Sequence, residues 1–262
     1  MEYRLRRLLS EKKKLFMILF LILFPSVEIL QVFYESWKVE RELPYAMYAT
    51  FLSGYSRGHV VQVLYLWFLP LYLLIINGEE CIEEFQTGYK NVLVCKFGKR
   101  KYIRSKLQSA FLRSGCVVGI GLCLNFILVQ IAYRGGRHLR YEGKYKVFDP
   151  RIMPETSLFE WSYTHPVWAN IMYIAVAILF AALVGTVGTM LAIVLHDRCL
   201  VYAITFALWF VPIIFKNSFM FVFQPFCEYG LDVVLPLAFG VAGVFLLVIV
   251  GMTVWEARYI EV

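Results

Sequence analysis

The sequence predicts an all-α membrane protein with six transmembrane helices. Of its 262 residues, 60% are hydrophobic and only 17% are charged, and the mean hydropathy is +0.64. Soluble domains are only about half apolar. Several runs of mostly apolar residues reach the length that crosses a bilayer as a helix, and the short alternating segments of a strand barrel are not seen. We therefore expect a single transmembrane domain over residues 1–262.

Six apolar runs are the expected spans. They cover residues 15–33, 60–76, 111–132, 171–195, 200–215 and 233–254. The second and fifth runs are short, and they contain Pro70 and Pro212. Because proline removes a backbone donor and clashes with the preceding turn, we expect a kink or a break in each of these two helices.

Basic residues indicate how the chain lies in the membrane. The 26 lysines and arginines exceed the 19 acidic residues, giving a net charge of +7. They stand in blocks beside apolar runs, as in membrane proteins, so we expect no nucleic-acid partner. Segment 1–14 is either a surface helix on anionic head groups or a frayed basic tail. The basic bias around the early spans favours both termini on the cytoplasmic side, and we expect the protein in the cell membrane.

The segment 77–106, between the second and third spans, is the most informative stretch. Glutamates come first and lysines and arginines come last, the order that complements a helix dipole. Apolar residues recur between them at helical offsets, which predicts one amphipathic helix face: Phe85, Tyr89, Val92, Leu93 and Phe97. This face either lies on the membrane or on the span ends, or it docks a soluble partner.

The same segment carries a more specific pattern. Glu84 stands four residues before Gly88, and an apolar pair follows at Val92 and Leu93. Arg100 stands twelve residues after the glycine, and Lys106 stands just before the next span. This pattern resembles the permease subunits of type II ABC exporters. The resemblance implies six spans, a cytoplasmic coupling helix between spans 2 and 3, and short re-entrant helices between spans 5 and 6, in segment 217–231.

The resemblance also implies a function and partners. It implies export of an amphipathic peptide, a lipid-like or a drug-like substrate by alternating access, with a second permease chain and an ABC ATPase subunit. The residues implied to dock the ATPase are Glu84, Gly88, Tyr89, Val92, Leu93, Phe97 and Arg100. The alternative function is a non-transporting membrane sensor or immunity subunit docked to the same kind of ATPase.

ATP chemistry is expected in the partner. Gly98-Lys99 is followed by Arg100, and the upstream glycine of a phosphate-binding loop is missing. We therefore expect no cofactor in this chain and ATP with Mg in the ATPase subunit. The cysteines are scattered and the histidines do not cluster, so no metal site, disulfide framework or catalytic site is indicated. An intramembrane hydrolase is the weakest of the three function classes.

Several other residues have a structural and a functional interpretation. Glu28 and Gln31 in the first span either line the translocation path or reach the outer interface. Asn125 and Gln130 favour hydrogen bonds between helices, and small residues at helical spacing favour close packing. These are Gly115 with Gly119, Ala181 with Gly185 and Thr189, and Gly240 with Gly243. The aromatic loop 134–166 is either a cap on the outer surface or a contact site.

Overall fold

The structure is a computed structural model that describes residues 12–38, 44–134, 156–227 and 229–258. Ten α-helices follow one another in the described residues, with short 3-10 turns between some of them. They are α1 (Lys12–Leu23), α2 (Val27–Lys38), α3 (Val60–Trp67), α4 (Leu69–Gln86), α5 (Tyr89–Phe97), α6 (Lys99–Ala132), α7 (Ser157–Thr164), α8 (Pro166–Leu195), α9 (Arg198–Ile214) and α10 (Leu231–Arg258).

Within the described residues, five helical stretches are long and apolar enough to cross a membrane. They are Lys12–Lys38, Val60–Gln86, Lys99–Ala132, Pro166–Leu195 and Leu231–Glu256. The chain is thus an all-α, multi-pass membrane protein. The predicted fifth span, 200–215, corresponds to α9, whose 17 residues fall short of the other five.

The prolines act as the sequence predicts in one case and differently in the other. Pro70 lies in the first turn of α4, directly after Phe68 separates α3 from α4, so the predicted break in the second span is confirmed. Pro212 lies inside α9, two residues before its end, and the helix continues through it. The first span also breaks, because Pro25 begins a 3-10 turn, Phe24–Ser26, between α1 and α2.

Helix α8 forms the centre of the bundle. Every residue from Phe180 to Ile193 is buried, because small side chains let α4 and α6 approach it closely. A methyl group at Gly185 would overlap Ser114 of α6, and the Cβ of Gly115 would lie 3.5 Å from Ala182. The predicted close packing is therefore confirmed at these positions. Around Gly240 and Gly243, by contrast, no atom lies within 4 Å of an added Cβ.

Short turns and aromatic side chains cover the end of the bundle opposite α5. Tyr48 stacks on Tyr163 of α7 at a ring distance of 5.1 Å and meets Phe226 edge to face at the same distance. Segment 217–231 contains a five-residue 3-10 turn, Phe219–Phe223, which is shorter than the predicted re-entrant helices. The buried Trp209 packs against this turn. Most of the predicted outer loop, and most of segment 1–14, lie outside the described residues.

Candidate docking helix and the charged network beneath it

Helix α5 is a separate short helix set off by two glycines. Gly88 and Gly98 have φ of 71° and 80°, a backbone conformation that side chains with a Cβ adopt only with strain. Nothing lies within 4 Å of an added Cβ at either position. Glycine is therefore needed at both positions because of the backbone conformation and not because of packing. They separate α5 from the spans that precede and follow it.

The predicted amphipathic face does not form on one continuous helix. Phe85 belongs to α4, since the break at Gly88 ends the helical register before Tyr89. Within α5, Leu93 is half-buried and packs on the main core, and Tyr89 is also half-buried. Val92, which is 58% exposed, points away from the core together with the exposed Asn91 and Cys95. The prediction of a single five-residue stripe is thus wrong in its geometry.

The residues at the two ends of the implied docking set lie in different surroundings. Phe97 and Arg100 are exposed, on either side of the break at Gly98. Glu84 is only 2% exposed and lies beneath α5. Its side chain therefore contributes to the interior of the protein and not to the exposed surface around Val92.

Helix α5 is tied to two other parts of the bundle through lysines. Lys90 Nζ lies 2.9 Å from His196 Nε2, in the turn between α8 and α9, and donates to the Ile193 carbonyl at 3.2 Å. Lys99 Nζ lies 3.5 Å from Glu256 Oε1 near the end of α10 and also donates to the Glu256 carbonyl. Lys99 is the first residue of α6, but Lys90 Nζ of α5 also lies 3.8 Å from Glu256 Oε1. A movement of α5 therefore acts on the α8–α9 turn and on α10 through Lys90.

Burial and a neighbouring cation keep His196 neutral. Burial and the charge of Lys90 together lower the pKa of His196 to about 4, and burial lowers the pKa of Lys90. A protonated lysine has no acceptor, so Lys90 donates to His196 Nε2 and the imidazole carries its proton on Nδ1. The His196 ring also stacks on Phe85 at 3.6 Å. This turn is therefore held by both a polar and an aromatic contact.

A buried charged network lies beneath α5. Lys106 of α6 donates to Glu80 Oε1 at 2.6 Å and to Glu84 Oε1 at 2.7 Å. Tyr102 donates to the other oxygen of Glu84 at 2.9 Å, and Arg113 lies 3.6 Å from Glu80. Burying charges is tolerated only when they are paired and hydrogen-bonded in this way. The network locks the end of α4 to the beginning of α6.

Another glutamate of α4, Glu79, joins this helix to α9. Glu79 accepts a hydrogen bond from Tyr202 at 3.0 Å and pairs with Arg198 at 3.1 Å. The acidic pairs that begin segment 77–106 therefore connect three helices. The sequence showed the charges and their order, but nothing in one sequence showed that the partners are Lys106 and Arg198.

Glu28 and Gln31, the predicted path residues, lie in α2, the second helix of the first span. Glu28 is buried, and its Oε1 accepts a hydrogen bond from Ser56 at 3.0 Å. Its Oε2 has no hydrogen-bond partner among the described residues. Gln31 is half-buried and donates to Glu35 at 2.8 Å. Glu28 is therefore enclosed within the protein, where the Ser56 hydroxyl donates to it.

The intramembrane amides join elements, as predicted. Asn125 donates to the Pro25 carbonyl at 2.9 Å and accepts from the Phe51 backbone at 3.0 Å. Asn170 of α8, which the sequence analysis did not single out, donates to the Met47 carbonyl at 2.9 Å. Gln130 makes a weaker contact, 3.5 Å, with the Met47 sulfur. These bonds tie segment 44–59 to the spans.

Comparison with known proteins gives one informative relative. No protein-family model and no solved structure matches the chain. The chain is 33% identical over 262 residues to the uncharacterized protein YybM of Bacillus subtilis (strain 168), and the alignment covers 100% of both chains. An alignment of this identity over the full length of both proteins means that the chain belongs to the same family as YybM.

Proposed function

We propose that the chain is the permease subunit of an ATP-driven exporter and that α5 is its coupling helix. The observation that supports this proposal best is the geometry of α5. It is a short helix set off by two left-handed glycines, with Val92 exposed on the side away from the core. A separate ATPase subunit would bind this side and supply ATP and Mg.

Six crossings are part of the proposal. Helix α9 has 17 residues, about 25 Å at ~1.5 Å per residue, close to the ~30 Å hydrocarbon thickness. It starts beside His196, which contacts Lys90 at the α5 end. It ends near Trp209, which packs on Phe219 at the opposite end. These contacts support a crossing by α9.

Contacts of α10 and α1 support placing both termini on the α5 side of the cell membrane. Glu256, near the end of α10, pairs with Lys99 directly after α5. Helix α1 begins at Lys12, which shares a groove with Ile75 of α4, eleven residues before α4 ends beside α5. The basic bias of the sequence favours the cytoplasm for this side.

The coupling step follows from the ties between α5 and the bundle. Closure of two ATPase subunits would push α5 as a rigid body. Lys90 would pass this displacement to the α8–α9 turn through His196 and to α10 through Glu256. The bundle would then switch between two arrangements, and a second permease chain would complete the path for an amphipathic substrate. Glu28 would line that path once Ser56 moves away from it.

A pair of adjacent substitutions tests the docking surface. Val92→Asp places a carboxylate on the exposed apolar position, whereas Asn91→Asp places the same charge one residue away on the same exposed side. Both positions point away from the core, so neither substitution disturbs packing. Leu93→Asp is a poorer test because Leu93 packs on the core. The measurement is the ATPase activity that copurifies with the chain from native membranes.

We expect Val92→Asp to abolish the copurifying ATPase and Asn91→Asp to retain it. Equal ATPase yield with both variants would overturn the docking assignment. If an ATPase is retained, its stimulation by candidate substrates in nanodiscs separates an exporter from a sensor or immunity subunit, because only an exporter couples hydrolysis to substrate.

A further inference from the structure

A groove lies between the first two spans, toward the end of the bundle where α5 lies. Its lining residues are Lys12, Lys13, Phe16 and Met17 of α1 and Ile75 of α4. Its cavity volume is about 390 Å³, which is within the range of small-molecule sites. The groove opens outward, so a molecule in the surrounding bilayer has direct access to it.

The chemistry of the groove is divided into a cationic and an apolar part. Lys12 and Lys13 are exposed, and neither forms an ion pair with a described residue. Helix α1 contains no acidic residue that would offset their charge. Phe16, 67% exposed, and the half-buried Met17 and Ile75 supply the apolar wall. A soluble anion would use only the lysines, and a neutral hydrocarbon would use only the wall.

The position in the bilayer matches this division. Ile75 lies fifteen residues after Val60, where the second span begins, so about 22 Å of helix separate it from that end at ~1.5 Å per residue. The groove is therefore close to the boundary between hydrocarbon and head groups, where lysines attract anionic lipid.

We propose that this groove binds one anionic phospholipid from the leaflet on the α5 side. The phosphate would lie between Lys12 and Lys13, and an acyl chain would run along Phe16, Met17 and Ile75. The lipid would cover the junction between α1 and α4 and hold the start of the first span against the second. This binding requires no ATPase and is independent of the proposed function.

Native mass spectrometry of the full chain tests the site. The protein is reconstituted into nanodiscs of equal parts phosphatidylglycerol and phosphatidylcholine, released, and the retained lipids are counted. We expect the wild-type chain to retain phosphatidylglycerol in preference to phosphatidylcholine. Lys12→Glu with Lys13→Glu should lower the retained phosphatidylglycerol by about tenfold or more. The matched control, Lys96→Glu with Lys101→Glu, makes the same charge change at exposed positions on and beside α5 and should retain it.

Ile75→Trp provides a second test that keeps both charges. It fills the apolar part of the groove, so we expect it to lower lipid retention as well. Two results would overturn the proposal. An equal loss of retained phosphatidylglycerol in the two double lysine variants would mean that the lipid is attracted diffusely to a basic surface. Unchanged retention in Ile75→Trp would mean that the lysines bind a head group or a free anion without a seated acyl chain.

Discussion

Lys106 lies between two glutamates of α4, with distances of 2.6 Å to Glu80 and 2.7 Å to Glu84. Its side chain is 5% exposed, and the Glu84 side chain is 3% exposed. Pairing and hydrogen bonding offset the large desolvation cost of burying these charges, and removal of one partner leaves the other charge buried and uncompensated. Lys106, together with Arg113 at 3.6 Å from Glu80, therefore offsets the charge of the two carboxylates at the junction of α4 and α6.

We expect Lys106→Met to destabilise the protein by about 3–5 kcal/mol, the usual effect of breaking a buried pair. The control is Arg198→Met, which breaks the pair with Glu79; Arg198 is 51% exposed, so its loss should change stability by about 0–1 kcal/mol. Thermal unfolding in detergent measures both. A Lys106→Met variant as stable as Arg198→Met would contradict the buried network.

His196 gives a pH dependence with a definite sign. Its pKa lies at about 4 in the folded chain and at about 6.5 when unfolded, so between these values the unfolded chain binds more protons. Stability due to this residue is therefore full above pH 6.5 and is lost as the pH falls towards 4. We expect His196→Asn, which suits the left-handed backbone at φ 59°, to lose less stability than the wild type over this interval.

Thermal unfolding of both proteins between pH 7 and pH 4 measures this difference. Acidic residues elsewhere contribute equally to both proteins, so the difference between the two curves isolates His196. Parallel curves would mean that burial and Lys90 do not lower the pKa of His196.

At the scale of elements, the packing of α6 on α8 depends on Gly185. A methyl group there would overlap Ser114, and the Asn77 amide that donates to Ser114 at 2.9 Å keeps that side chain in place. We expect Gly185→Ala to cost about 1–3 kcal/mol through overpacking. Gly240→Ala meets no atom within 4 Å, and alanine favours helix, so it should be neutral or slightly stabilising.

Differential scanning calorimetry of Gly185→Ala and Gly240→Ala in the same detergent checks this expectation. The double variant Gly185→Ala with Ser114→Gly should recover part of the loss, because it removes the overlapping side chain. Equal stability of the two single variants would mean that α6 and α8 are farther apart than the structure shows.

The elements were predictable to different degrees. Apolar length alone located the five long helical stretches, since the hydrophobic requirement of a span is a local property of the sequence. The end of α4 was not predicted, because the periodicity of Phe85 and Tyr89 continues across the break at Gly88. A glycine followed by an apolar helical pattern is compatible with either a continuous helix or a left-handed turn, and the charge order of segment 77–106 favoured the first.

The candidate site was predictable as a segment but not as a set of contacts. Val92 is exposed, as a docking residue requires, whereas Glu84 is buried with Lys106 and Tyr102. Nothing local to the sequence distinguishes the two, because the partners are 18 and 22 residues away on another helix. Likewise, the ties from Lys90 to His196 and from Lys99 to Glu256 span more than 100 residues and arise only from the fold.

At the scale of the whole molecule, the two ends of the bundle are built differently. Helix α5, the α8–α9 turn and the end of α10 meet through Lys90, Lys99 and Glu256 at one end. Aromatic turns around Tyr48 and Phe219 close the other. A protein that binds the first end can therefore act on several spans at once.

Photo-crosslinking in native membranes examines this arrangement at the decisive position. A photoreactive amino acid replaces Val92 on α5, and in a control chain it replaces the exposed Lys216 at the opposite end. We expect the Val92 position to crosslink to a protein with a phosphate-binding loop, and the Lys216 position to give no such product. Crosslinks from position 92 to lipid alone, or the same ATPase product from both positions, would contradict the proposal that α5 binds an ATPase.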